Sequence, residues 1–477
     1  MTQHSLERDV LRCRYLITRG ATDKLGLRDL ESIEQHRELF VAECNAVFKK
    51  AQDILVQNVL ALEEQIAVLN KKDQSARRQR AKLKHWKSIL EACYDAFIWI
   101  ASRNDRSNAS KIYKGLKYGK LSAQNIESVI EAARRFNGDS HSFAIPLDFS
   151  RFSCVCDLLL IEFAAGKMAM SFFEVKEGKV NEAFFDTRSA GTQEAYFAFF
   201  EQYGEKGIQQ GLRCFKQEKV LQDRTATFNA PPGVYIGAEE VRKIIQPTTT
   251  YEILTREVED LLDKARRGDY AVEVFDNCLV LAAVDTSSRH RFALGQFDVR
   301  LFVHEAFVEA GAVSRLGSSE FAKELNKIGL TDWLEGLASI FLVPPILRPL
   351  RARSLLDLLF GRIRLVSYVH APGFVDLCRA HGLKVGFIKK KQTNRLRSSG
   401  QLNGYPVFDG RALGYMVGDL LVVMGSAKIH EMVFNWVRPM SIVQELVEVH
   451  PLLKDPADLS FTGDYKQPFS EADLEFA

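Results

Sequence analysis

Residues 156–176 read CDLLLIEFAAGKMAMSFFEVK, and the two apolar runs flanking Ala165-Gly166 decide what kind of fold this chain has. Each run is of strand length, and the short turn between them predicts an antiparallel hairpin. Its register follows by counting outward from the turn: Ala164 faces Lys167, Phe163 faces Met168, and six further steps set Asp157 opposite Glu174. Side chains alternate along a strand, so Lys176 falls on the face of Glu174. Leu159, Ile161, Phe163, Met168, Met170 and Phe172 make the rest of that face apolar. Three ionisable groups thus converge at one end of a greasy surface, provided that no bulge breaks the register. Two carboxylates directly across a strand pair repel, and partial burial raises the pKa of at least one. A divalent cation relieves this naturally, since Mg²⁺ takes oxygen ligands and readies a water for attack. Lys176 is suited to orient that water or to stabilise charge on a phosphate. The alternatives are a salt bridge in which Lys176 neutralises the two acids, and strand ends that are simply hydrated.

Upstream, Ser122 is a good N-cap for the helix AQNIESVIEAARRF (123–136), with Ile126, Val129, Ile130 and Ala133 on one face and Asn137-Gly138 as the stop. A further strand is predicted in SFAIPLDF (142–149). Downstream, EGKVN (177–181) breaks the pattern, and a helix is predicted over much of 190–218. The order is helix, strand, strand, strand, helix. Towards the N-terminus, helical periodicity over about 29–70 and again through Trp86, Ile89, Cys93, Phe97 and Ile100 predicts a long antiparallel helical hairpin turning near NKKDQ (70–74). The polar stretch 102–110 reads as a linker. Beyond the turn-rich NAPPGVYIG (229–237) come a helix near 251–267, a hairpin with Asp276-Asn277 at its tip, and a strand–helix passage around 296–310. Strands in 363–370, 384–390 and 419–426 then alternate with helices near 373–381 and 429–436. The expected fold class is α+β or α/β. Its expected domains are a helical hairpin (1–118), a compact core (119–228, with an upper limit near 300) and a mixed α/β accessory region (229–477). The acidic stretch from about 454 reads as a loosely held tail.

Composition excludes several classes. The chain has 477 residues, 46% of them hydrophobic, and a formal net charge of +3. Its longest apolar run, ASIFLVPPIL (338–347), is well short of the roughly 20 residues of a membrane span and contains Pro344-Pro345. The N-terminus carries no apolar stretch behind a positive start, so a cytoplasmic protein without a membrane partner is expected. Eight scattered cysteines include no CxxC pair and read as reduced core residues, Cys154 and Cys156 among them. Gly-rich phosphate loops, HExxH and GxSxG are absent from the sequence. His370 and His381 stand alone and read as structural residues. Charge is concentrated locally. Residues 71–87 hold eight Lys and Arg against one Asp, and KKKQTNRLR (389–397) holds five with no acid. Such runs are solvated faces or phosphate-binding surfaces.

An Asp, a hairpin and then Glu-x-Lys on the returning strand, with a helix before and after, resembles the PD-(D/E)xK nuclease superfamily over about residues 120–220. The resemblance implies a restriction-endonuclease-like α-β-β-β-α-β core and Mg²⁺ (or Mn²⁺) as cofactor. It implies metal ligation by Asp157, Glu174 and the Val175 carbonyl, and a water-positioning or water-activating Lys176. Glu127 is the first choice for an added helix ligand, ahead of Glu131. Gln193 and Tyr196, in QEAY, stand near the place of a helix Gln and Tyr, with Tyr196 one residue too close. Cys156 occupies the position of the motif's Pro. The activity implied is phosphodiester hydrolysis, with DNA as the first choice of substrate, in prokaryotic phage defence or DNA processing. Arg77, Arg78, Arg80, Lys82, Lys84, Lys389, Lys390, Lys391 and Arg395 would then hold the flanking backbone, with Trp86 available to stack on a base. Self-association through the N-terminal helices or the C-terminal region is a further expectation. The competing readings are a non-catalytic nucleic-acid-binding or assembly protein on the same fold, and a carboxylate-pair glycosidase.

Overall fold

The computed structural model describes residues 1–69, 73–102, 123–151, 156–164, 167–175, 179–229, 234–236, 241–243, 249–286, 328–338, 342–399, 407–417, 420–449, 451 and 474–475. The chain is a mixed α+β protein in two compact units, Met1–Ile244 and Ile245–Ala477.

In the first unit, α1 (Gln3–Thr18), α2 (Gly20–Leu25) and α3 (Leu30–Gln35) precede the long helices α4 (Arg37–Val68) and α5 (Gln74–Ala101). The expected helical hairpin is present, and Asp73 caps α5 by accepting from the Ser75 and Ala76 N–H groups. Next come α6 (Ala123–Phe136), β1 (Ser142–Pro146), a 3₁₀ turn (Leu147–Phe149), β2 (Leu158–Ala164) and β3 (Lys167–Phe173). The three strands form an antiparallel sheet with β2 in the centre. The turn at Ala165-Gly166 lies outside the described residues, yet the ladder has the register counted from the sequence, from Ala164 opposite Lys167 to Leu158 opposite Phe173.

Each face of this sheet has its own cover. Val129 and Ala133 of α6 pack on Ala144, Leu158 and Leu160. Phe143, on the other face, meets Phe48 of α4 and Phe97 of α5 at ring-centroid distances of 5.7 and 5.4 Å. Gln52 of α4 donates from its amide to the Ala144 carbonyl at 3.0 Å. The stretches expected as separate domains, 1–118 and 119–228, therefore fall in one unit: the hairpin supplies half of the sheet's core. The predicted linker lies outside the described residues apart from Ser102.

Two further differences concern the expected α-β-β-β-α-β core. Residues around EGKVN open an additional helix, α7 (Lys179–Ala190), before α8 (Gln193–Asn229). After α8, β4 (Val234–Ile236) pairs with β5 (Val241–Lys243) in a sheet of its own and does not extend β1–β2–β3. The outer edge of β3 is met instead by Asn229. Its side-chain amide donates to the Met170 carbonyl at 2.9 Å and accepts from the Met170 N–H at 3.1 Å.

The second unit contains α9 (Thr255–Gly268), β6 (Tyr270–Phe275), β7 (Leu279–Asp285), β8 (Ile328–Asp332), α10 (Ala352–Leu359), β9 (Ile363–His370) and α11 (Ala371–Ala380). There follow β10 (Val385–Ile388), α12 (Lys390–Ser398), β11 (Val407–Phe408), β12 (Arg411–Val417), β13 (Leu420–Val423), α13 (Ser426–Asn435), α14 (Pro439–Val449) and β14 (Leu474–Glu475). The hairpin turns through Asp276, Asn277 and Cys278, between the paired Phe275 and Leu279, with Asp276 and Asn277 both at positive φ. One sheet has the order β6-β7-β9-β8; the other runs β11-β12-β10-β14 with β13 beside β12. Every ladder among the described residues is antiparallel, so the alternation of strand and helix there builds α+β layers and not the parallel crossovers of an α/β fold. Leu342, Pro345 and Ile346 of the long apolar run are buried, as expected. Near the C-terminus, Leu474 is buried opposite Ile388 and Glu475 pairs with Phe387. The passage around 296–310 lies outside the described residues.

Candidate active site

The paired ladder ends at Leu158 opposite Phe173, and Asp157 follows just beyond it. The Asp157 N–H donates to the Phe173 carbonyl at 3.1 Å, and the Asp157 carbonyl accepts from the Leu147 N–H at 2.9 Å. This backbone pairing brings Asp157 and Glu174 to the same end of the sheet. Val175 packs against the cluster under α6, so alternation turns Glu174 to the opposite face. The Asp157 carboxylate accepts from the Val175 N–H at 2.7 Å, and Glu174 accepts from the Gln217 amide at 3.1 Å. Both acids are half-buried.

A third carboxyl belongs to the same place. Asp148 lies in the 3₁₀ turn after β1, and its Oδ2 is buried without a hydrogen-bond partner among the described residues. Burial first, and then the charges of Asp157 and Glu174, together push the Asp148 carboxyl up to about 7. The same field reaches Cys156, whose thiol is held well above its usual range by burial and then by Glu174, so this cysteine is inert core as expected.

These observations test whether a divalent cation suits the residues present. An orphaned buried carboxylate oxygen beside two half-buried acids is an excess of negative charge, which a hard cation would neutralise. Among the described residues, no three His, Cys, Asp or Glu side chains form a ready metal cage. Two protein carboxylates completed by water and substrate oxygens are the usual magnesium donor set, so the residues fit. Comparison with family models, with curated proteins and with solved structures finds no match.

The other expected site residues are placed as follows. Lys176 lies outside the described residues. Glu127 is exposed on α6. The inward side of that helix, Val129 and Ala133, packs on Ala144, Leu158 and Leu160. Gln193 is exposed on the first turn of α8. The helix amide that reaches Glu174 is that of Gln217, beyond a break at Gly204, whose φ of 56° suits glycine. Asp148 and Gln217 are thus the residues that sequence reasoning missed. Placing Asp148 requires knowing that Pro146 pairs with Leu158 across a long connection, and Gln217 requires the course of α8 after Gly204.

Of the basic residues, Arg77, Arg78, Lys82 and Lys84 are exposed along the first half of α5, and Arg80 is half-buried. Trp86 is only 6% exposed, with the Lys82 ammonium 4.7 Å from its ring centroid, so it is core and not a base-stacking platform. In the other unit, the run at 389–397 forms α12, with Thr393 and Leu396 inward and Lys389, Lys390, Lys391 and Arg395 exposed. Lys390 pairs with Asp409 at 3.2 Å.

One consequence concerns pH. The folded-state pKa of Asp148 exceeds the ordinary 3.8, so between about pH 4 and 7 the folded protein keeps a proton that the unfolded chain has released. The contribution of Asp148 therefore becomes less favourable as pH rises through that window, and the full penalty stands above it. In metal-free protein, Asp148→Asn is expected to gain a few kcal/mol over the wild type at about pH 8 and little at about pH 4. Urea unfolding at both pH values measures the difference. Parallel pH profiles for the two proteins would refute the placement of this carboxyl.

Proposed function

We propose that the first unit is a metal-dependent nuclease that hydrolyses phosphodiester bonds, with DNA as the favoured substrate. The observation that carries this reading is the grouping of Asp157, Glu174 and Asp148 at one end of the sheet, where the Asp148 Oδ2 has no hydrogen-bond partner among the described residues. The Glu174-x-Lys176 pattern in the sequence supports it. Asp157, Glu174 and the Val175 carbonyl would hold the ion; when bound, it would polarise the scissile phosphate and lower the pKa of an attacking water. The chain's own groups do the positioning. The Val175 N–H fixes the Asp157 carboxylate, and the Gln217 amide fixes one oxygen of Glu174, so that both acids stand pre-oriented. Lys176 would assist at the water.

The experiment is incubation of the purified chain with plasmid, linear DNA and RNA, in Mg²⁺ and in EDTA. Cleavage that requires Mg²⁺ is expected. Cleavage that survives EDTA would replace this reading with a metal-independent hydrolase. Binding without cleavage would favour the second reading, a non-catalytic nucleic-acid-binding protein, in which the Val175 and Gln217 contacts merely satisfy two structural acids.

The exposed cations of α5 and α12 would track the phosphate backbone without reading sequence. Replacing Lys389, Lys391 and Arg395 together with Ala is expected to weaken DNA binding about uniformly across sequences. It should also flatten the dependence of log affinity on log salt by roughly two to three. A salt titration read by fluorescence anisotropy checks this, and an unchanged slope would remove α12 from the interface.

A further inference from the structure

Beyond Gly204, α8 buries Gly207, Gly211 and Cys214 within its own unit, and Gly211 sits close on the Phe184 ring, where a Cβ would approach to 3.0 Å. A second stripe flanks this seam and faces outward. Ile208, Leu212 and Phe215 are 44, 57 and 44% exposed, at the four-then-three spacing of a helix–helix contact. Exposed Glu205 and Lys219 continue the same spacing at the two ends, so the stripe reads acid, three large apolar residues, base. It is centred on Leu212.

That order is self-complementary in one direction only. Two copies placed parallel would set Glu205 against Glu205 and Lys219 against Lys219. Placed antiparallel, they set each acid beside a base and bring Ile208 beside Phe215. We propose that the chain forms a two-fold symmetric dimer through this stripe, with two α8 helices antiparallel and Leu212 at the axis. The contact is isologous, since the same patch serves both partners. Two heptads bury less than the roughly 800 Å² per partner of a standard interface, so the association is reversible and follows concentration. None of these residues belongs to the acidic site, and the proposal stands or falls apart from the nuclease reading.

Sedimentation equilibrium of the full chain over a wide concentration range tests it. The wild type is expected to show a monomer–dimer equilibrium, and Leu212→Glu, which sets two carboxylates together at the axis, a monomer throughout. Glu205→Lys and Lys219→Glu separately each create two like-charge contacts per dimer and should raise the dissociation constant about tenfold. The double variant Glu205→Lys/Lys219→Glu exchanges the charges and should return to within about threefold of the wild type. The charge variants alter only exposed side chains, and an unchanged circular dichroism spectrum and melting temperature verify that they fold. A monomeric wild type, a dimer indifferent to Leu212→Glu, or a double variant no tighter than either single one would overturn the proposal.

Discussion

Asp157→Asn is expected to reduce magnesium-dependent cleavage at least about a hundredfold while leaving the fold intact. The asparagine side chain keeps the volume and an oxygen that accepts from the Val175 N–H, so the strand end is not disturbed. It loses the charge that would hold a divalent cation. Alanine at the same position is a poorer probe, because it leaves a half-buried backbone N–H without its acceptor and mixes stability with chemistry. Glu174→Gln should behave alike, since Gln217 can still donate to the retained oxygen. Both variants should also lose most of the magnesium-induced rise in melting temperature seen in the wild type, a readout of binding that does not depend on turnover. Full activity in both would end the assignment of this acidic pair to catalysis.

The largest expected effect on stability lies beside the site, in the pair Asp95–Arg151. Asp95 of α5 has no exposed side-chain surface. It accepts from the Ser150 hydroxyl at 2.6 Å, the Arg151 N–H at 3.0 Å and the Arg151 Nε at 2.5 Å. Burial is the largest influence on its carboxyl and raises the pKa; Arg151 is the strongest opposing one. Arg151→Ala removes that counterweight and is expected to cost about 3–5 kcal/mol at neutral pH. The sign with pH follows. A carboxylate whose folded pKa is raised favours the protonated form, so stability falls as pH rises through the interval between the unfolded and folded values. The loss in Arg151→Ala should therefore be larger at about pH 8 than at about pH 5, and Asp95→Asn combined with Arg151→Met should recover much of it. Urea unfolding of the three proteins decides this. A loss below about 1 kcal/mol would mean that the pair is solvated.

The parts of this molecule that were legible in advance are those set by local rules. A turn of two residues and a side-chain period of two were enough to fix the β2–β3 register as far as Leu158 opposite Phe173. The long apolar periodicity of α4 and α5, and the Asp276-Asn277 turn, were equally plain. What escaped depends on distant partners. Asp148 acquires its neighbours only when β1 folds back on β2 across a long connection. Gln217 reaches Glu174 only because α8 changes direction at Gly204. The helix α12 has two inward residues, Thr393 and Leu396, too few to mark an amphipathic period among so many cations. The helix α6 illustrates the converse: its place in the chain was legible, but which side of the sheet it covers is a matter of packing that no local pattern states.

Asn229 gives the small sheet a boundary. One carboxamide copies the donor and acceptor of a single peptide group and occupies the outward-facing pair of Met170, at the middle of a rim where another chain segment could dock. A sheet of only three strands is thereby finished at one side by a side chain in place of backbone, at a position fixed by the last turn of the preceding long helix. The polypeptide that leaves this helix is then at liberty to pair elsewhere, as Val234–Ile236 does with Val241–Lys243.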